Sequence, residues 1–444
     1  MTNVLTAPLK VLDITGDPLA GELNSVRVHY VPEGQGRPGA AELMDWFDRT
    51  MRFNALEASE KAAQRIGSCR PVLRDIVPAS RCVPGMRDGL ILHAGPPVSS
   101  FDELGEGLQK AVVGAAVHEG LAFDNTEATE KLRNGTIKLE CTEDHRCAAA
   151  GCGAVSGSMY MFCITDPVSG CWAYAPVTAI GGARISDGRD DKEAVDALIY
   201  TEDTIAPVFQ KMIVSHGDLD IFSVCAGGLQ CGDDGCVRLE AASMLFMKEF
   251  LPLVCAQVAP SMLTEFISYL SDSSLFAQLL AGAQRCCIMS TEENRDCTLF
   301  ANASSNGRKI GVRPFGSSEW ITADLPEGFS CGDELIGELF GMGSAFLAGA
   351  PMLLKEIRMG ERDALELLYD AFEVSSGHIH GLPIPYAGGK GSPSSPDYSY
   401  MVRTGKGMKF LSRRNGECAI MDCGADLPIR ALERYRDSHQ DPEN

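Results

Sequence analysis

Short apolar runs alternate with longer segments of helical periodicity in the N-terminal part of this chain. β-Branched runs at residues 10–15 and 25–31 precede residues 39–67, where apolar side chains recur at helical spacing. Strands that alternate with helices bury their apolar faces in a parallel sheet covered by helices. The pattern therefore predicts an α/β fold that begins with a Rossmann-like parallel-sheet unit. The turn at residues 16–18 lacks G-x-G-x-x-G, so a dinucleotide site is not supported.

The chain of 444 residues is longer than one hydrophobic core usually spans. From residue 238 onward apolar residues become denser and helix formers dominate. We expect three units: a Rossmann-like α/β unit at residues 1–100, a central α/β domain at residues 101–235, and a helix-rich α/β domain at residues 236–444. Within the last unit, the Gly/Ser/Pro-rich residues 388–396 are typical of a flexible polar loop.

The charge balance excludes two classes of partner. Sixty acidic residues against 39 basic ones give a net charge of -21, which repels nucleic acid and anionic membranes. The 17 cysteines are spread along the chain without a Cys-x-x-Cys pair, and no charged n-region with an apolar core opens the sequence. We therefore expect a cytoplasmic protein with reduced thiols, no zinc site and no cofactor.

Residues 335–354 contain a single charge, Glu338, so a membrane span has to be considered. Glycines at positions 337, 341, 343 and 349, with Pro351, would weaken a helix exposed to lipid, and no basic cluster flanks the segment closely. The sequence instead favours a buried helix whose glycines permit tight packing.

Residues 137–159, IKLECTEDHRCAAAGCGAVSGSM, hold the densest group of reactive side chains in the sequence. His145 lies among acids and cysteines, and the small residues after it let the backbone approach a ligand closely. A second interpretation is equally compatible with the pattern, since buried cysteines pack as small hydrophobes and a lone histidine is often a hydrogen-bonded core residue. His118, near the end of a predicted helix, is better explained by a helix-dipole contact than by catalysis.

Four blocks together resemble one known family. They read LILHAGPP at residues 90–97, AVVGAAVHEGLA at 111–122, EDHRCAAAGCGAVSGSM at 143–159 and GDELIGELFGMGSAFLAGAP at 332–351. From about residue 10 to residue 426 the chain is similar to the YlbE/AllG-type proteins, a family defined by a domain of unknown function. That group includes one of the three subunits assigned to oxamate carbamoyltransferase in allantoin degradation.

The resemblance implies a set of site residues. They are His93, His145, Ser156, Ser158, Arg238, Asn306, Arg313, Asp333, Glu338, Gly341 and Gly343. The chain also departs from the family pattern, because Glu143 stands where relatives often have a histidine and the turn at residues 272–274 lacks another. A shifted substrate and a catalytically reduced paralogue are both compatible with these departures.

The activity implied by the resemblance is carbamoyl transfer between carbamoyl phosphate and an amide or amine nitrogen of a small carboxylate such as oxamate. Arg238 and Arg313 would then bind the anionic groups. His145 would polarise the carbamoyl oxygen or handle a proton, and Asp333 and Glu338 would orient groups or take up that proton. The remaining residues of the set would bind substrate, with His93 beside a Gly-Pro-Pro strand end of the kind that holds ligands in α/β sheets.

Three alternatives stay open at the level of sequence. Cys147 or Cys152 beside His145 would suit an amidohydrolase or acyltransferase, while His378 and His380 offer a less favoured metal site. A non-catalytic scaffold subunit of a multi-subunit carbamoyltransferase is the third. We expect anionic small-molecule substrates and a homo-oligomer, or a hetero-oligomer with other carbamoyltransferase subunits.

Overall fold

The computed structural model describes residues 28–30, 39–292, 294–330 and 332–439, in which small β-sheets are packed among helices. The strands are β1 Val28–Tyr30, β2 Val72–Pro78, β3 Leu90–His93, β4 Lys138–Cys141, β5 Ala154–Val155, β6 Tyr160–Thr165, β7 Trp172–Pro176, β8 Leu219–Asp220, β9 Phe300–Ser305, β10 Lys309–Pro314, β11 Ile321–Asp324, β12 Ser375–Ile384, β13 Lys390–Pro396, β14 Lys409–Arg414 and β15 Glu417–Asp422. The helices are α1 Ala40–Thr50, α2 Arg52–Ser68, α3 Ala79–Cys82, α4 Glu106–His118, α5 Asn125–Arg133, α6 Lys192–Tyr200, α7 Ala206–His216, α8 Ile221–Gln230, α9 Glu240–Gln257, α10 Leu263–Leu270, α11 Ser273–Met289, α12 Pro351–Ile357, α13 Glu361–Val374, α14 Tyr398–Thr404 and α15 Asp426–His439.

Most strand pairs are antiparallel. The four-stranded sheet has the order β7-β6-β2-β8, and two smaller sheets have the orders β11-β10-β9 and β12-β13. Parallel pairing occurs between β3 and β4, which are consecutive strands. It also occurs between β1 and β15, which lie at opposite ends of the chain. None of the described helices is long and apolar enough to cross a membrane.

The structure confirms a mixed α/β class with a more helical C-terminal half. The Rossmann-like detail is not confirmed, because β2 lies between antiparallel partners and β1 pairs with β15 rather than with a neighbour in sequence. The predicted strand at residues 10–15 lies outside the described residues, and the run at 25–31 contains β1. Alternation of strands and helices predicts the elements, whereas strand direction depends on partners distant in sequence.

The main hydrophobic core runs through all three predicted units. Phe47, Phe209 and Phe246 belong to one cluster of buried side chains, and the Phe209 ring meets Phe246 edge to face at 6.4 Å between centroids. A second cluster packs α4, α5 and α6 against β3 and β5. The unit boundaries at residues 100 and 235 stay predictions, and the large core crosses both positions.

The predicted helix over residues 335–354 is wrong. The chain forms two 3-10 helices, Glu334–Phe340 and Gly343–Gly349, before α12 begins at Pro351. Gly341 has a φ of 64°, and a Cβ at this position would overlap the Pro393 carbonyl oxygen. A continuous helix is therefore interrupted where glycine alone fits against the neighbouring strand.

The predicted flexible loop at residues 388–396 is also wrong, since residues 390–396 form β13 and pair with β12. Ser392, Ser394 and Ser395 are buried there. Their small side chains fit close to the backbone of the 3-10 segment, and the Ser392 hydroxyl donates to the Phe340 carbonyl oxygen at 2.7 Å. A composition typical of loops thus serves a buried strand.

Candidate functional site

A polar cavity of about 320 Å³ lies where the predicted central block meets the C-terminal segments. It is far larger than a neighbouring cavity of about 60 Å³ that contains Glu338 and Gly341 in its wall. The larger cavity is lined by Ala150, Gly151, Ser186, Asp187, Cys236, Val237, Leu239, Ser273, Ser274, Ala277, Gln278, Ser330, Glu334, Leu411, Ser412 and Arg413. Its volume suits a small ligand, and its many hydroxyl, amide and charged groups suit a polar one.

One wall is held in place by the buried carboxylate of Asp333. It accepts hydrogen bonds from Gly95 N at 3.0 Å, Thr142 Oγ1 at 2.7 Å and Ala149 N at 2.8 Å, and also from the Ser304 hydroxyl. Burial raises the pKa of Asp333 against the opposing effect of these donors. Because its oxygens are already bonded, Asp333 positions the loop that enters the cavity at Ala150.

The backbone of this loop is clamped from the cavity side as well. The Gln278 side chain accepts from Ala150 N and donates to Ala150 O, each at 2.8 Å. Glu334 Oε2 accepts from Gly151 N at 3.0 Å. Burial raises the pKa of Glu334 to about 7, with a further contribution from Asp333, so this cavity-lining carboxyl can give or take a proton near neutral pH.

The opposite wall is strand β14, and Glu338 fixes its position. Glu338 Oε1 accepts from Leu411 N at 2.7 Å and from Ser344 N at 2.9 Å, while Oε2 accepts from Ser344 Oγ at 2.6 Å. Burial raises the pKa of Glu338 to about 8. Glu338 thus supports the strand that brings Ser412 and Arg413 to the cavity.

Arg413 is one of the residues that line the cavity, and it is exposed to solvent. Its guanidinium donates to the Gly416 carbonyl oxygen at 3.2 Å and makes no ion pair with an acidic residue of the described chain. Asp187, in the same wall, is paired with Arg184 at 2.9 Å. Arg413 is therefore a cation whose charge remains available to a ligand.

Arg313, predicted to bind anions, is instead paired inside the protein. Its Nε donates to Glu143 Oε2 at 2.8 Å, and Arg285 donates to Glu143 Oε1 at 3.0 Å. Arg285 and Glu143 are almost fully buried. Glu143, which stands where relatives often have a histidine, thus forms an ion pair with each of two arginines, and Glu292 lies 3.9 Å from both.

The imidazole of His145 lies between two oxygen acceptors. Nδ1 contacts the Pro84 carbonyl oxygen at 2.6 Å, and Nε2 contacts Glu140 Oε2 at 2.7 Å. Glu140 also pairs with Arg87. Both ring nitrogens are engaged, and His145 is not part of the cavity wall.

His93 and Asn306 are built into the scaffold beneath this region. His93 donates from Nδ1 to the Ala94 carbonyl oxygen at 2.9 Å, and burial lowers its pKa. Asn306 Oδ1 accepts from Arg308 N at 3.0 Å in the turn between β9 and β10. The Gly-Pro-Pro strand end that was expected to hold a ligand is filled at Gly95, since a Cβ there would lie 2.7 Å from the Asn306 backbone nitrogen.

Ser158 belongs to a separate polar cluster. Its hydroxyl donates to Glu119 Oε2 at 2.9 Å and lies 3.1 Å from His118 Nε2, which is also 3.0 Å from Glu202 Oε1. The nearby Ser156 hydroxyl is buried. These contacts place the two predicted serines apart from the cavity lining.

Arg238 and Gly343 lie close to the cavity without lining it. Arg238 pairs with Glu240 at 3.3 Å, although its neighbours Val237 and Leu239 are in the wall. Gly343 N donates to the Asp234 carbonyl oxygen at 2.8 Å. The predicted set is therefore distributed over several places, and its members Asp333 and Glu338 have a direct structural link to the cavity walls.

The cysteine and metal alternatives gain no support from the geometry. The Cys147 thiol is buried and donates to the His145 carbonyl oxygen at 3.4 Å, and burial raises its pKa, which disfavours a thiolate nucleophile. The Cys152 sulfur is packed close to Gly107 and Gly188. Among the described residues, no group of three or more His, Cys, Asp or Glu side chains is arranged to hold a metal ion.

Sequence reasoning missed several polar residues that line the cavity, namely Gln278, Glu334, Arg413 and the two serines Ser330 and Ser412. Glu334 directly follows Asp333, which was predicted as a site residue. The block at residues 332–351 was therefore identified, but its cavity-lining residue Glu334 was not. Arg285, a lone charge within the apolar helix α11, was a signal that a buried counter-charge must exist.

Comparisons with known proteins bear on the same region. Residues 137–331 match the family model described as oxamate carbamoyltransferase subunit AllG. The chain is 25% identical over 448 residues to the uncharacterized protein YahG of Escherichia coli (strain K12), covering 96% of this chain and 94% of that protein. It is 26% identical over 377 residues to the oxamate carbamoyltransferase subunit AllG of the same organism, covering 80% and 89% of the two chains.

The fold is also found in a solved structure. The crystal structure of a conserved protein of unknown function from Enterococcus faecalis V583 superposes with a TM-score of 0.82 at 22% sequence identity, covering 88% of this chain and 100% of that one. The family match includes the cavity residues from Ala150 to Ser330 and ends before Glu334 and Arg413.

Proposed function

We propose, from the AllG-type resemblance that these matches bear out, that this chain is a substrate-binding subunit of a carbamoyltransferase. The reaction moves a carbamoyl group between carbamoyl phosphate and a nitrogen of a small carboxylate such as oxamate. The observation that carries the proposal is the polar cavity of about 320 Å³, whose walls join the family-matched region to Glu334 and Arg413.

Direct transfer of this kind needs orientation and electrostatic stabilisation rather than a covalent enzyme intermediate. The nitrogen attacks the carbamoyl carbon, the bond from that carbon to the phosphate oxygen breaks, and the nitrogen loses a proton to a base. Such a reaction requires no nucleophilic thiol. It is therefore compatible with the buried Cys147 thiol, whose pKa is raised by burial. In this proposal Asp333 and Glu338 are positioning residues that hold the two walls of the cavity.

The proposal is tested by measuring transfer in the assembly in which the chain works. The chain is purified alone and with the subunits encoded beside it, and phosphate release from carbamoyl phosphate is followed after addition of oxamate. We expect oxamate-dependent release by the complex. Ala277→Phe, which fills the cavity from helix α11, should lower the rate at least about 100-fold, because the lost space excludes substrate.

Ala256→Phe is the matched control, because it adds the same side chain at an exposed position near the end of α9. It should leave the rate unchanged, and circular dichroism should be identical for both variants. A complex that transfers no carbamoyl group to oxamate, or an Ala277→Phe variant with full activity, would contradict the proposal.

A further inference from the structure

We propose that this cavity binds the nitrogen acceptor, a small monocarboxylate that also carries an amide, and not carbamoyl phosphate. The inference rests on the proposed function and assigns one of its two substrates to a place. It implies that the phosphate group is bound outside this cavity. Cationic residues of another subunit of the assembly would then bind that phosphate.

The charge of the cavity wall fits one negative charge on the ligand. Arg413 is its cationic side chain, and Asp187 already has its partner in Arg184. A phosphate dianion is normally met by several cationic or N–H donors, whereas one guanidinium fork matches one carboxylate. Glu334 in the same wall would repel a dianion further whenever it is ionised.

The other arginines of the predicted site do not add charge to this cavity. Arg285 and Arg313 are both hydrogen-bonded to the carboxylate of Glu143, and Arg238 is paired with Glu240. None of the three lines the cavity. Among the residues that the structure describes, Arg413 is therefore the basic residue of the wall, and the hydroxyls of the wall supply the remaining hydrogen bonds.

Hydroxyl groups that line the same cavity as Arg413 can complete the carboxylate site. The hydroxyls of Ser330 and Ser412 are 2.9 Å apart, and both residues line the cavity. A carboxylate has about four lone-pair positions, so it can accept from a guanidinium and from neighbouring hydroxyls at once. This cluster recognises the anionic end of the ligand.

Glu334 is suited to the amide end. Among the contacts of the described chain, its carboxylate accepts one hydrogen bond from another residue, from Gly151 N, which leaves acceptor capacity for a ligand N–H. When the amide nitrogen forms its bond to the carbamoyl carbon, the bond from that carbon to the phosphate oxygen breaks. The proton leaves the nitrogen for the Glu334 carboxylate, and phosphate departs with the electron pair of the broken bond.

The test is a binding measurement on the full-length chain without partner subunits. Oxamate, malonamate, succinamate and inorganic phosphate are titrated separately by isothermal titration calorimetry. We expect one half-amide or more to bind with one site per chain, no binding of phosphate, and no competition by phosphate. Arg413→Ala should weaken half-amide binding at least about tenfold, because the carboxylate loses its guanidinium partner.

Arg414→Ala is the matched control on the same strand. The Arg414 guanidinium donates to the Glu327 carbonyl oxygen and lies over the Phe329 ring, and Arg414 is not a cavity-lining residue. This variant should keep wild-type affinity. Glu334→Gln should keep binding within about threefold, since the amide oxygen still accepts, yet abolish transfer in the assembled complex.

Two results would overturn the inference. Phosphate binding that depends on Arg413 would assign the cavity to carbamoyl phosphate, and failure of every half-amide to bind would remove the acceptor site. Both can occur while the assembled complex still transfers carbamoyl groups to oxamate, so failure of this inference is distinct from failure of the proposed function.

Discussion

At the residue scale, the carboxylate of Glu143 forms ion pairs with two arginines within the protein. Arg285 and Arg313 each donate to one of its oxygens, and the side chains of Glu143 and Arg285 are 4% and 2% exposed. Removing one member of a buried ion pair leaves an uncompensated charge that costs about 3–5 kcal/mol. The group thus stabilises the native state strongly against loss of a single partner.

Glu143→Gln should therefore lower the free energy of unfolding by about 3 kcal/mol, because a neutral amide at this position leaves the two guanidinium groups with the more distant carboxylate of Glu292, 3.9 Å from each, as their remaining ion-pair partner among the described residues. Urea denaturation followed by circular dichroism measures the change. Glu57→Gln is the control, since Glu57 pairs with Lys61 at the surface with 67% of its side chain exposed. Surface pairs contribute about 0–1 kcal/mol, so equal losses in the two variants would contradict the buried-charge account.

The partners of these side chains could not be found from the sequence. Arg285 and Arg313 lie 142 and 170 residues from Glu143 along the chain. Sequence reasoning identified Arg313 and Asp333 as polar groups with a role, but a charge alone does not tell whether it faces a ligand or a buried partner. Glu334 and Arg413 were missed for the same reason, since their shared cavity exists only after folding.

At the scale of elements, Asp333 joins segments from four parts of the chain. It accepts hydrogen bonds from Gly95 just after β3, from Thr142 and Ala149 in the segment after β4, and from Ser304 in β9. Its own backbone N–H also donates to Ala149 O at 2.9 Å. The Ala150–Gly151 loop is therefore held from one side by this carboxylate and from the other by Gln278 and Glu334.

Asp333→Asn should lower the free energy of unfolding by about 1–3 kcal/mol, because the amide group faces at least one backbone N–H that cannot reverse its donor role. Hydrogen exchange of the amides at residues 149–151 should become faster than in the wild type. Asp45→Asn serves as the control, since Asp45 is 56% exposed and pairs with Arg49 on helix α1. Unchanged exchange in Asp333→Asn would refute the junction role.

Elements with local signals were predicted well. The apolar runs at residues 159–164 and 171–177 flank turn residues and so predict paired strands, and they contain β6 and β7. The Asn306-Gly307 turn signal likewise joins β9 to β10. Prolines predict helix breaks near residues 252 and 260; α9 ends before Pro260, whereas Pro252 is accommodated inside that helix. Residues 390–396 and 334–349 differ from prediction because contacts between them, such as Ser392 with Phe340, decide their conformation.

At the scale of the whole molecule, several carboxyls are buried with raised pKa values. The pKa is raised to about 7 for Glu334, about 8 for Glu338, and about 6 for both Asp233 and Asp234, in each case chiefly by desolvation. These groups bind protons more tightly in the folded state than in the unfolded chain. Their stabilising effect is complete below the unfolded values near pH 4 and is lost as pH rises through 6 to 8.

The free energy of unfolding should therefore fall between pH 5.5 and pH 8.5. A shift of one pKa unit corresponds to about 1.4 kcal/mol, so Glu334, whose pKa is raised to about 7, contributes on the order of 2 kcal/mol to this fall. Denaturant titrations at constant ionic strength measure the slope, and Glu334→Gln should make it shallower. A stability that is constant or increases with pH over this range would contradict the prediction.

Composition and periodicity were sufficient to predict the α/β class and the more helical C-terminal half at this scale. They were insufficient for strand order, because the pairing of β1 with β15 joins residues almost 400 positions apart, as in Val28 with Ile420. The large core likewise joins side chains from all three predicted units.

The cavity wall extends in sequence from Ala150 to Arg413. During translation, a nascent chain that has emerged only as far as residue 331 already contains the whole family-matched region, yet it lacks Glu334 and strand β14. The cavity wall is therefore incomplete at that stage. A premature stop codon between residue 331 and Glu334 would yield a product that contains the family-matched region but lacks Glu334 and strand β14 from the cavity wall.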